Sequence, residues 1–359
     1  MIPSLMNPRL GLLLIAGLAA CEHTSPFQAG PYAPTGPLGS GSPLRLTYNP
    51  GQDLTPVWLP DGSGLLYARE RFDRSDRDRC LARLPAGGGA ITGELCDRIP
   101  AADDSTDAYQ WPAPDTDGRL VYVRASSLAA LGSLAPHDQQ LVLGTFDGSA
   151  PVRVLRSIPY QSPSGRGTEA VAQIRWLNAT TLLYVGQRVT YPRPCANCLA
   201  DTIPTGLELV TMDLSAPTPT LDTLPGTSLA SSVALAGSDT VYYTVDGDSR
   251  VFRLVLSTRA ATVVHDFGGP IARDVQVAGT RLVAVVGGDV SFTYDSNLQP
   301  VQRDGGGVLH LVDLTSGADV ILTNTTLAFR HPALAPSGTL VVAELVTGRT
   351  TDLWAVAVP

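Results

Sequence analysis

The stretch Asp53-Leu-Thr-Pro-Val-Trp-Leu-Pro-Asp-Gly-Ser-Gly-Leu-Leu-Tyr67 contains two apolar runs separated by a group of turn-forming residues. The first run ends at Trp58, the second begins at Leu65, and Pro60-Asp61-Gly62 lies between them. Proline presets φ, aspartate can bond the backbone two residues on, and glycine tolerates a positive φ. The stretch therefore predicts a β-hairpin with a tight turn.

The hairpin pattern recurs along the rest of the chain. Five further copies occupy Trp111–Tyr122, Ile174–Tyr184, Val233–Tyr243, Val275–Ala284 and Pro332–Val342, and the last again has a turn at Ala335-Pro336-Ser337-Gly338. Their spacing suits a structural repeat of roughly 40 to 50 residues with variable loop insertions. The sequence therefore predicts a protein built from six related units.

Each copy is followed by a third strand and, except for the last copy, by a fourth. The predicted third strands are Cys80–Leu84, Gln140–Gly144, Leu207–Met212, Arg250–Leu254, Gly307–Asp313 and Asp352–Val356. The predicted fourth strands are Ala90–Cys96, Val152–Leu155, Leu221–Leu224, Ala261–Val264 and Asp319–Leu322. The last unit lacks a fourth strand, while residues 44–47 form an unassigned strand before the first unit. Because exposed strand edges favour aggregation, we expect residues 44–47 to supply the missing strand of the last unit, so that the six units close into a ring.

The repeat resembles that of the TolB-like β-propellers, whose WD40-like element has the pattern Pro-x-Trp-Ser-Pro-Asp-Gly-x-x-Leu-x-Tyr. Residues 56–67 match this pattern, except that Leu59 stands where the family usually has serine. The likeness extends over about residues 43–359. It implies an all-β fold, a six-bladed β-propeller of four-stranded blades, and it specifies the fold better than a function.

The first residues predict export. An apolar run from Leu10 to Ala20 follows Arg9, and it is too short to span a bilayer and fits a signal peptide over residues 1–20. Leu18-Ala19-Ala20-Cys21 resembles a bacterial lipobox, in which Cys21 would be acylated; the alternative is an ordinary signal peptide with an incidental cysteine. Glu22 after the cysteine implies, by resemblance to bacterial lipoprotein sorting, an outer-membrane location.

Residues 21–43 are rich in proline and glycine and have almost no apolar content. Such a segment cannot bury enough surface to offset the entropy of ordering, so we expect a tether. The predicted organisation is a signal peptide over residues 1–20, a tether over 21–43 and one propeller domain over 44–359.

Four cysteines remain after Cys21, which suits an oxidising compartment. Cys80 and Cys96 are equidistant from Gly88 in a glycine-rich turn, so a symmetric hairpin places them opposite each other. A disulfide is the first hypothesis, and two buried thiols are the second. Cys195 and Cys198 have the spacing of a redox or zinc motif, but no helix or further ligands accompany them. A disulfide that closes a small loop is the simpler interpretation.

Composition excludes several functions. The net charge is −8 and all 25 basic residues are arginine, so a basic nucleic-acid footprint, Schiff-base lysine and P-loop lysine are absent. Exclusive use of arginine is also what a GC-rich genome produces. The sequence contains no nucleophile-elbow motif, and its histidines share no motif. We therefore identify no catalytic residue, no cofactor and no metal site.

Long insertions are predicted on one face of the propeller, and mostly tight turns on the other. Loops on a rigid scaffold often bind partners, and tyrosine and arginine are favoured interface residues. The candidate contact residues are Arg71, Tyr109, Arg124, Tyr160, Arg188, Tyr191, Arg193 and Tyr294. The alternative is that the insertions are merely tolerated.

These features predict a monomeric lipoprotein of the bacterial cell envelope that binds or scaffolds a protein, peptide or glycan. The membrane would be engaged only through the lipid anchor. The alternative hypothesis is an extracytoplasmic lyase or glycosidase that uses the propeller channel, and paired carboxylates or clustered histidines there would favour it.

Overall fold

The computed structural model describes residues 43–49, 51–70, 79–96, 105–128, 138–158, 168–190, 203–288, 290–294, 300–304, 306–347 and 350–359. Strands and turns account for the regular structure in these ranges, and no helix occurs in them. The predicted all-β class is confirmed for this part of the chain. Within the same ranges, no helical segment has the length and apolarity needed to cross a bilayer.

The described ranges contain 26 strands. In chain order they are β1 (Leu44–Arg45), β2 (Asp53–Trp58), β3 (Gly64–Glu70), β4 (Arg79–Pro85), β5 (Gly93–Leu95), β6 (Ser105–Pro114), β7 (Arg119–Leu128), β8 (Asp138–Thr145), β9 (Arg153–Ile158), β10 (Thr168–Asn178), β11 (Thr181–Thr190), β12 (Ile203–Asp213), β13 (Thr220–Thr223), β14 (Ala230–Ala236), β15 (Thr240–Val245), β16 (Arg250–Val255), β17 (Ala260–Asp266), β18 (Ala272–Ala278), β19 (Arg281–Val286), β20 (Val290–Tyr294), β21 (Pro300–Asp304), β22 (Val308–Asp313), β23 (Asp319–Ile321), β24 (Phe329–Leu334), β25 (Leu340–Thr347) and β26 (Thr350–Ala357). All six predicted third strands and all five predicted fourth strands overlap observed strands.

Most strands pair antiparallel with a neighbour in sequence. Strands β18, β19, β22 and β23 form one four-stranded sheet, and β24, β25, β26 and β1 form another. Strands β2–β9 form an eight-stranded sheet whose two halves are joined by a single residue pair, Arg79 with Ala108. Strands β10–β17 form a second eight-stranded sheet, joined at the single pair Leu207 and Ala230. Strands β20 and β21 pair as a separate hairpin inside the insertion that follows β19.

Six strands, which we call the inner strands, follow one another around the centre of the molecule. They are β2, β6, β10, β14, β18 and β24; each contacts the next, and β24 contacts β2. Buried apolar clusters fill the space between neighbouring sheets. One of them joins Trp58 and Leu65 of the first sheet to Val342 and Leu353 of the last.

The first hairpin has the predicted turn. Gly62 has a φ of 72°, which L side chains rarely adopt. The Asp61 carboxylate accepts a 2.9 Å hydrogen bond from the backbone N–H of Ser63. Asp61 and Gly62 therefore have the roles that their chemistry predicted.

The predicted disulfide between Cys80 and Cys96 is confirmed, with a Cα–Cα distance of 4.9 Å. It follows directly from the register of β4 with β5, in which Leu81 is opposite Leu95. Symmetry about the glycine-rich turn was therefore sufficient to identify this pair.

The N-terminal strand pairs with the last strand of the chain. Leu44 is opposite Ala355, and Arg45 is opposite Trp354. Beyond β1, the Thr47 hydroxyl accepts a 2.9 Å bond from the backbone N–H of Leu353. Arg45 also forms a 2.8 Å ion pair with Asp352. Residues 44–47 thus occupy the edge position that the sequence assigned to them.

A buried carboxyl lies beside this strand pairing and makes stability depend on pH. Asp53 is fully buried, and burial raises its pKa to about 7. The nearby charge of Asp352 also raises the pKa, while the hydrogen bonds from Thr47 and Asn49 lower it without cancelling the effect of burial. Because the pKa is raised in the folded state, the folded protein loses stability as pH rises from about 4 to 7. We expect Asp53→Asn to raise the free energy of unfolding by about 2 kcal/mol at pH 8 and to have little effect at pH 4.

Urea unfolding at both pH values measures this difference. The matched control is Asp61→Asn, because Asp61 is exposed and its pKa is lowered by hydrogen bonds from Ser63. The control should give no stabilisation at pH 8. Equal effects of Asp53→Asn at pH 4 and pH 8 would contradict the raised pKa.

Candidate functional site

The inner strands share an irregularity at the same place. Each has a shift of register against its neighbour, as expected of a β-bulge. In five of them a non-glycine residue of the bulge has a positive φ: Thr55, Trp111, Gln173, Asp274 and His331, with values from 44° to 53°. Backbone strain of this kind costs on the order of 1 to 3 kcal/mol per residue and concentrates at functional sites. The bulges therefore mark the centre of the molecule as the candidate functional site.

Side chains near the bulges bond the backbone of the next inner strand. The side-chain oxygen Oε1 of Gln173 accepts a 2.9 Å hydrogen bond from the backbone N–H of Val233. The Ser232 hydroxyl accepts a 3.1 Å bond from the N–H of Val275, and Asp274 accepts a 3.1 Å bond from the N–H of His331. These bonds fasten β10 to β14, β14 to β18 and β18 to β24.

Glu344 continues this chain of bonds from β25 to β2. It is fully buried and accepts hydrogen bonds from the N–H of Thr55 and from Nδ1 of His331, the latter at 2.7 Å. Its other oxygen accepts a 2.6 Å bond from Nε of Arg330. Burial alone raises the pKa of Glu344, but the charges of His331 and Arg330 outweigh burial and hold it below its ordinary value.

His331 is consequently a cation at neutral pH. Burial lowers the pKa of its imidazole, but the charges of Glu344 and Asp274 outweigh burial and raise it to about 9. The ring also packs edge to face against Trp111, with centroids 4.9 Å apart. His331 therefore carries a fixed positive charge in a held orientation.

Arg175 is the second cation at the centre. It lies on β10, two residues beyond the bulge residue Gln173, where β2 has Val57 and β24 has Ala333. Burial lowers the pKa of its guanidinium to about 10, and Asp274 partly opposes this effect. Among the described residues it donates one hydrogen bond, of 2.9 Å, to the carbonyl of Ile174.

These groups surround a small space that we call the hub cavity. Its volume is about 20 Å³, which is room for about one water molecule. The residues that line it are Thr55, Pro56, Val57, Trp111, Pro112, Gln173, Arg175, Asp274, Gln276, His331 and Pro332.

A larger space, which we call the turn-face pocket, opens beside the hairpin turns. It has a volume of about 420 Å³ and is lined by Pro60, Pro114, Asp115, Thr116, Asp117, Arg119, Arg175, Trp176, Asn178, Ala179 and Leu235. Arg175 belongs to both linings. Arg175 therefore borders both spaces.

Four of the eight candidate contact residues lie in the described part of the chain. Arg188 is exposed on β11. Arg124 is partly buried on β7 and donates a 2.6 Å bond to Gln140. Tyr294 is the last residue of β20. The candidates Arg71, Tyr160, Tyr191 and Arg193 lie outside the described residues, as do Cys21, Cys195 and Cys198.

The assignment of Tyr109 to a binding face is wrong. Its side chain is 1% exposed and packs edge to face on Tyr122 with ring centroids 5.3 Å apart. Strand β6 begins at Ser105, so Tyr109 lies inside a strand rather than in the loop before it. It is a core residue.

Prolines in the sequence are a signal for the hub cavity. In three repeats the bulge residue precedes a proline, as Thr55-Pro56, Trp111-Pro112 and His331-Pro332. Proline inside a strand is typical of a bulge or an edge. Glu344 is the single charged residue of β25, and Arg175 lies between Ile174 and Trp176 in β10, which is itself a reason to suspect an inward-facing role.

Comparison with solved structures supports a β-propeller fold. A gluconolactonase from Xanthomonas campestris matches with 14% identity and a TM-score of 0.52, over 90% of this chain and 91% of the other. Regucalcin, a calcium-binding protein from Agrobacterium tumefaciens, matches with 11% identity and a TM-score of 0.52, over 88% and 93%. TolB from Acinetobacter baumannii matches with 14% identity over 86% of this chain and 64% of the other, and its TM-score of 0.45 is too low to support an argument. The similar structures are β-propeller proteins, so the chain is similar to that class in fold.

No model of a protein family matches the sequence, and no curated protein matches it. At identities this low the likeness concerns the fold alone, because one fold carries many functions.

Proposed function

We propose that this protein is an envelope lipoprotein whose domain is a closed six-bladed β-propeller that binds or scaffolds a protein partner without catalysis. The absence of catalysis is proposed from the state of two acidic groups: Asp274, which lines the hub cavity, and Glu344, which bonds to the lining residue His331. All four carboxylate oxygens of Asp274 and Glu344 already accept hydrogen bonds within the fold. The buried carboxylate of Glu344, held by His331, Arg330 and the backbone N–H of Thr55, stabilises the fold and is a poor proton carrier at neutral pH.

The size of the hub cavity also favours binding over the glycan-cleaving alternative. Glycoside cleavage by the usual mechanism needs two carboxyl groups on either side of an open cleft, at least about 5 Å apart. A space of about 20 Å³ has no room for a sugar ring between them. Partner binding therefore falls to the outer faces of the domain.

The proposed count of six blades is supported by the sheets, when each eight-stranded sheet is divided at its single joining pair. The division gives β2–β5, β6–β9, β10–β13 and β14–β17, beside the two four-stranded sheets. The contact of β24 with β2 and the pairing of β1 with β26 support ring closure. Closure of this kind protects the strand edges that an open sheet would leave exposed.

The anchor is tested by growth with an alkyne fatty acid, followed by detection of label on the purified protein. Wild type should carry label and sediment with outer membranes on a density gradient. A Cys21→Ser variant should carry none. Label on that variant would overturn the lipidation proposal.

The binding function is tested by reversible cross-linking on membranes. The test variant replaces residues 191–202, which join β11 to β12, with a Gly-Ser segment of equal length. Its control is Asp147→Asn, on a turn beyond β8 at the opposite end of the strands. We expect one partner to be captured by wild type and the control and lost from the test variant. Turnover of an envelope glycan by the purified domain would overturn the proposal.

A further inference from the structure

The donors and acceptors at the hub cavity are unequal in number. The carboxylates of Asp274 and Glu344 accept bonds from Gln173, His331, Arg330 and the Thr55 backbone. On the donor side, four of the five guanidinium N–H groups of Arg175 have no hydrogen-bond partner in the described part of the chain. Nε2 of His331 likewise has none there. The unused hydrogen-bonding capacity of these charged side chains therefore consists mainly of donors on cations.

Such donors suit an anion. Arg175 and His331 are both partly buried, and a charge that is partly removed from water is stabilised by a counter-ion. Asp274 interacts electrostatically with Arg175, yet no ion pair within 4 Å joins them among the described residues. Arg175 is therefore a partly buried cation that lacks a direct counter-ion in the described part of the chain.

We infer that the hub cavity and the turn-face pocket together form a binding site for a small carboxylate, with Arg175 as the residue that binds the carboxylate group. A carboxylate fits because it is flat, carries one charge and can take two parallel bonds from a guanidinium. Phosphate carries a larger charge and four oxygens, and a single guanidinium takes at most two of them in parallel bonds. The site goes beyond the proposed partner binding, which depends on the opposite face.

The body of the ligand would occupy the turn-face pocket. A volume of about 420 Å³ is within the usual range for small-molecule sites. Trp176, Pro60 and Pro114 supply apolar surface, and Arg119 stacks on the Trp176 ring at 4.4 Å. Arg119 is already paired with Asp115 at 2.5 Å, so it adds little attraction for an anion. The lining suits the C-terminus of a short apolar peptide or an aromatic organic acid.

Isothermal titration of the intact domain with matched probes tests the site. The probes are N-acetyl-Gly-Phe with a free carboxylate, the same dipeptide with a C-terminal amide, phenylacetate and inorganic phosphate. We expect the acid to bind at least about tenfold more tightly than the amide, because a charge-assisted hydrogen bond is lost. If phenylacetate binds as tightly as the dipeptide acid, the site is one for small organic acids. If phenylacetate binds more weakly, the site is one for peptide C-termini.

Arg175→Gln should weaken binding of the acid at least about tenfold and leave the thermal midpoint unchanged or higher, because a poorly paired and partly buried charge is removed. Arg253→Gln, on the exposed side of β16, is the matched control and should bind like wild type. The comparison of acid with amide uses the unmodified chain, so it holds even if the variant misfolds. Equal affinity for acid and amide, no binding of either, or phosphate binding as tight as the acid would each overturn the inference.

Discussion

Glu344→Gln is expected to lower the free energy of unfolding at pH 7 by about 4 kcal/mol, the usual cost of breaking a buried ion pair from one side. Glu344 is fully buried and holds Arg330, His331 and the backbone of Thr55 together. The glutamine keeps the shape of the side chain but removes the charge, so the His331 cation loses its nearest anion. Urea unfolding followed by tryptophan fluorescence measures the change.

The pH dependence of this variant tests the cause. The pKa of His331 rises from 6.5 to about 9 on folding, so its stabilisation is complete below pH 6.5 and is lost as pH rises through 9. The pKa of Glu344 is lowered from 4.5, so its stabilisation is present above pH 4.5 and is lost as pH falls below that value. In the variant, the free energy of unfolding should depend less steeply on pH both near pH 9 and below pH 4.5, because both dependences come from the pair of His331 and Glu344.

The matched control is Glu169→Gln. Glu169 also forms a 2.6 Å ion pair with an arginine, Arg156, but its side chain is 60% exposed. Exposed pairs contribute about 0 to 1 kcal/mol, so this variant should be nearly neutral. An equal loss in the two variants would show that burial of Glu344 is not the source of its effect.

Local chemistry was enough to predict the hairpins and the disulfide. The turn Pro60-Asp61-Gly62 forms within four residues, and Cys80 and Cys96 are joined through one short hairpin. Both depend on neighbours in sequence, which a sequence displays directly. The place of residues 44–47 beside β26 was predictable only because one unit lacked a strand and unpaired edges are unfavourable.

The hub cavity could not be predicted in the same way. Its bonds join residues far apart in sequence, such as Thr55 with Glu344, which are 289 residues apart. Repeats show which residues are equivalent, but they do not show which side chains of equivalent strands meet at the centre. The prediction for Tyr109 was wrong for a related reason. Strand β6 extends further towards the N-terminus than the apolar pattern indicated, and the alternation of side chains along the strand places Tyr109 in the core.

Removal of the N-terminal strand is expected to have the largest effect on stability. Deletion of residues 1–49 should lower the free energy of unfolding by at least about 5 kcal/mol and cause aggregation. Leu46 is 6% exposed, and burial of one leucine contributes about 1.5 to 3 kcal/mol. The deletion also removes the Thr47 bond to Leu353 and the ion pair of Arg45 with Asp352. The measurement is urea unfolding together with light scattering at low protein concentration.

The control is deletion of residues 1–42, which keeps β1 and removes only the segment that the sequence identifies as signal peptide and tether. It should unfold like the mature chain, because β1 and its contacts with β26 remain. The edge of β26 explains the aggregation expected of the longer deletion, since its free N–H and C=O groups would pair with those of another molecule. Addition of a synthetic peptide spanning residues 43–49 should restore stability to the longer deletion in proportion to its concentration, because it fills the same edge. Equal stability of the two deletions would contradict closure by the N-terminal strand.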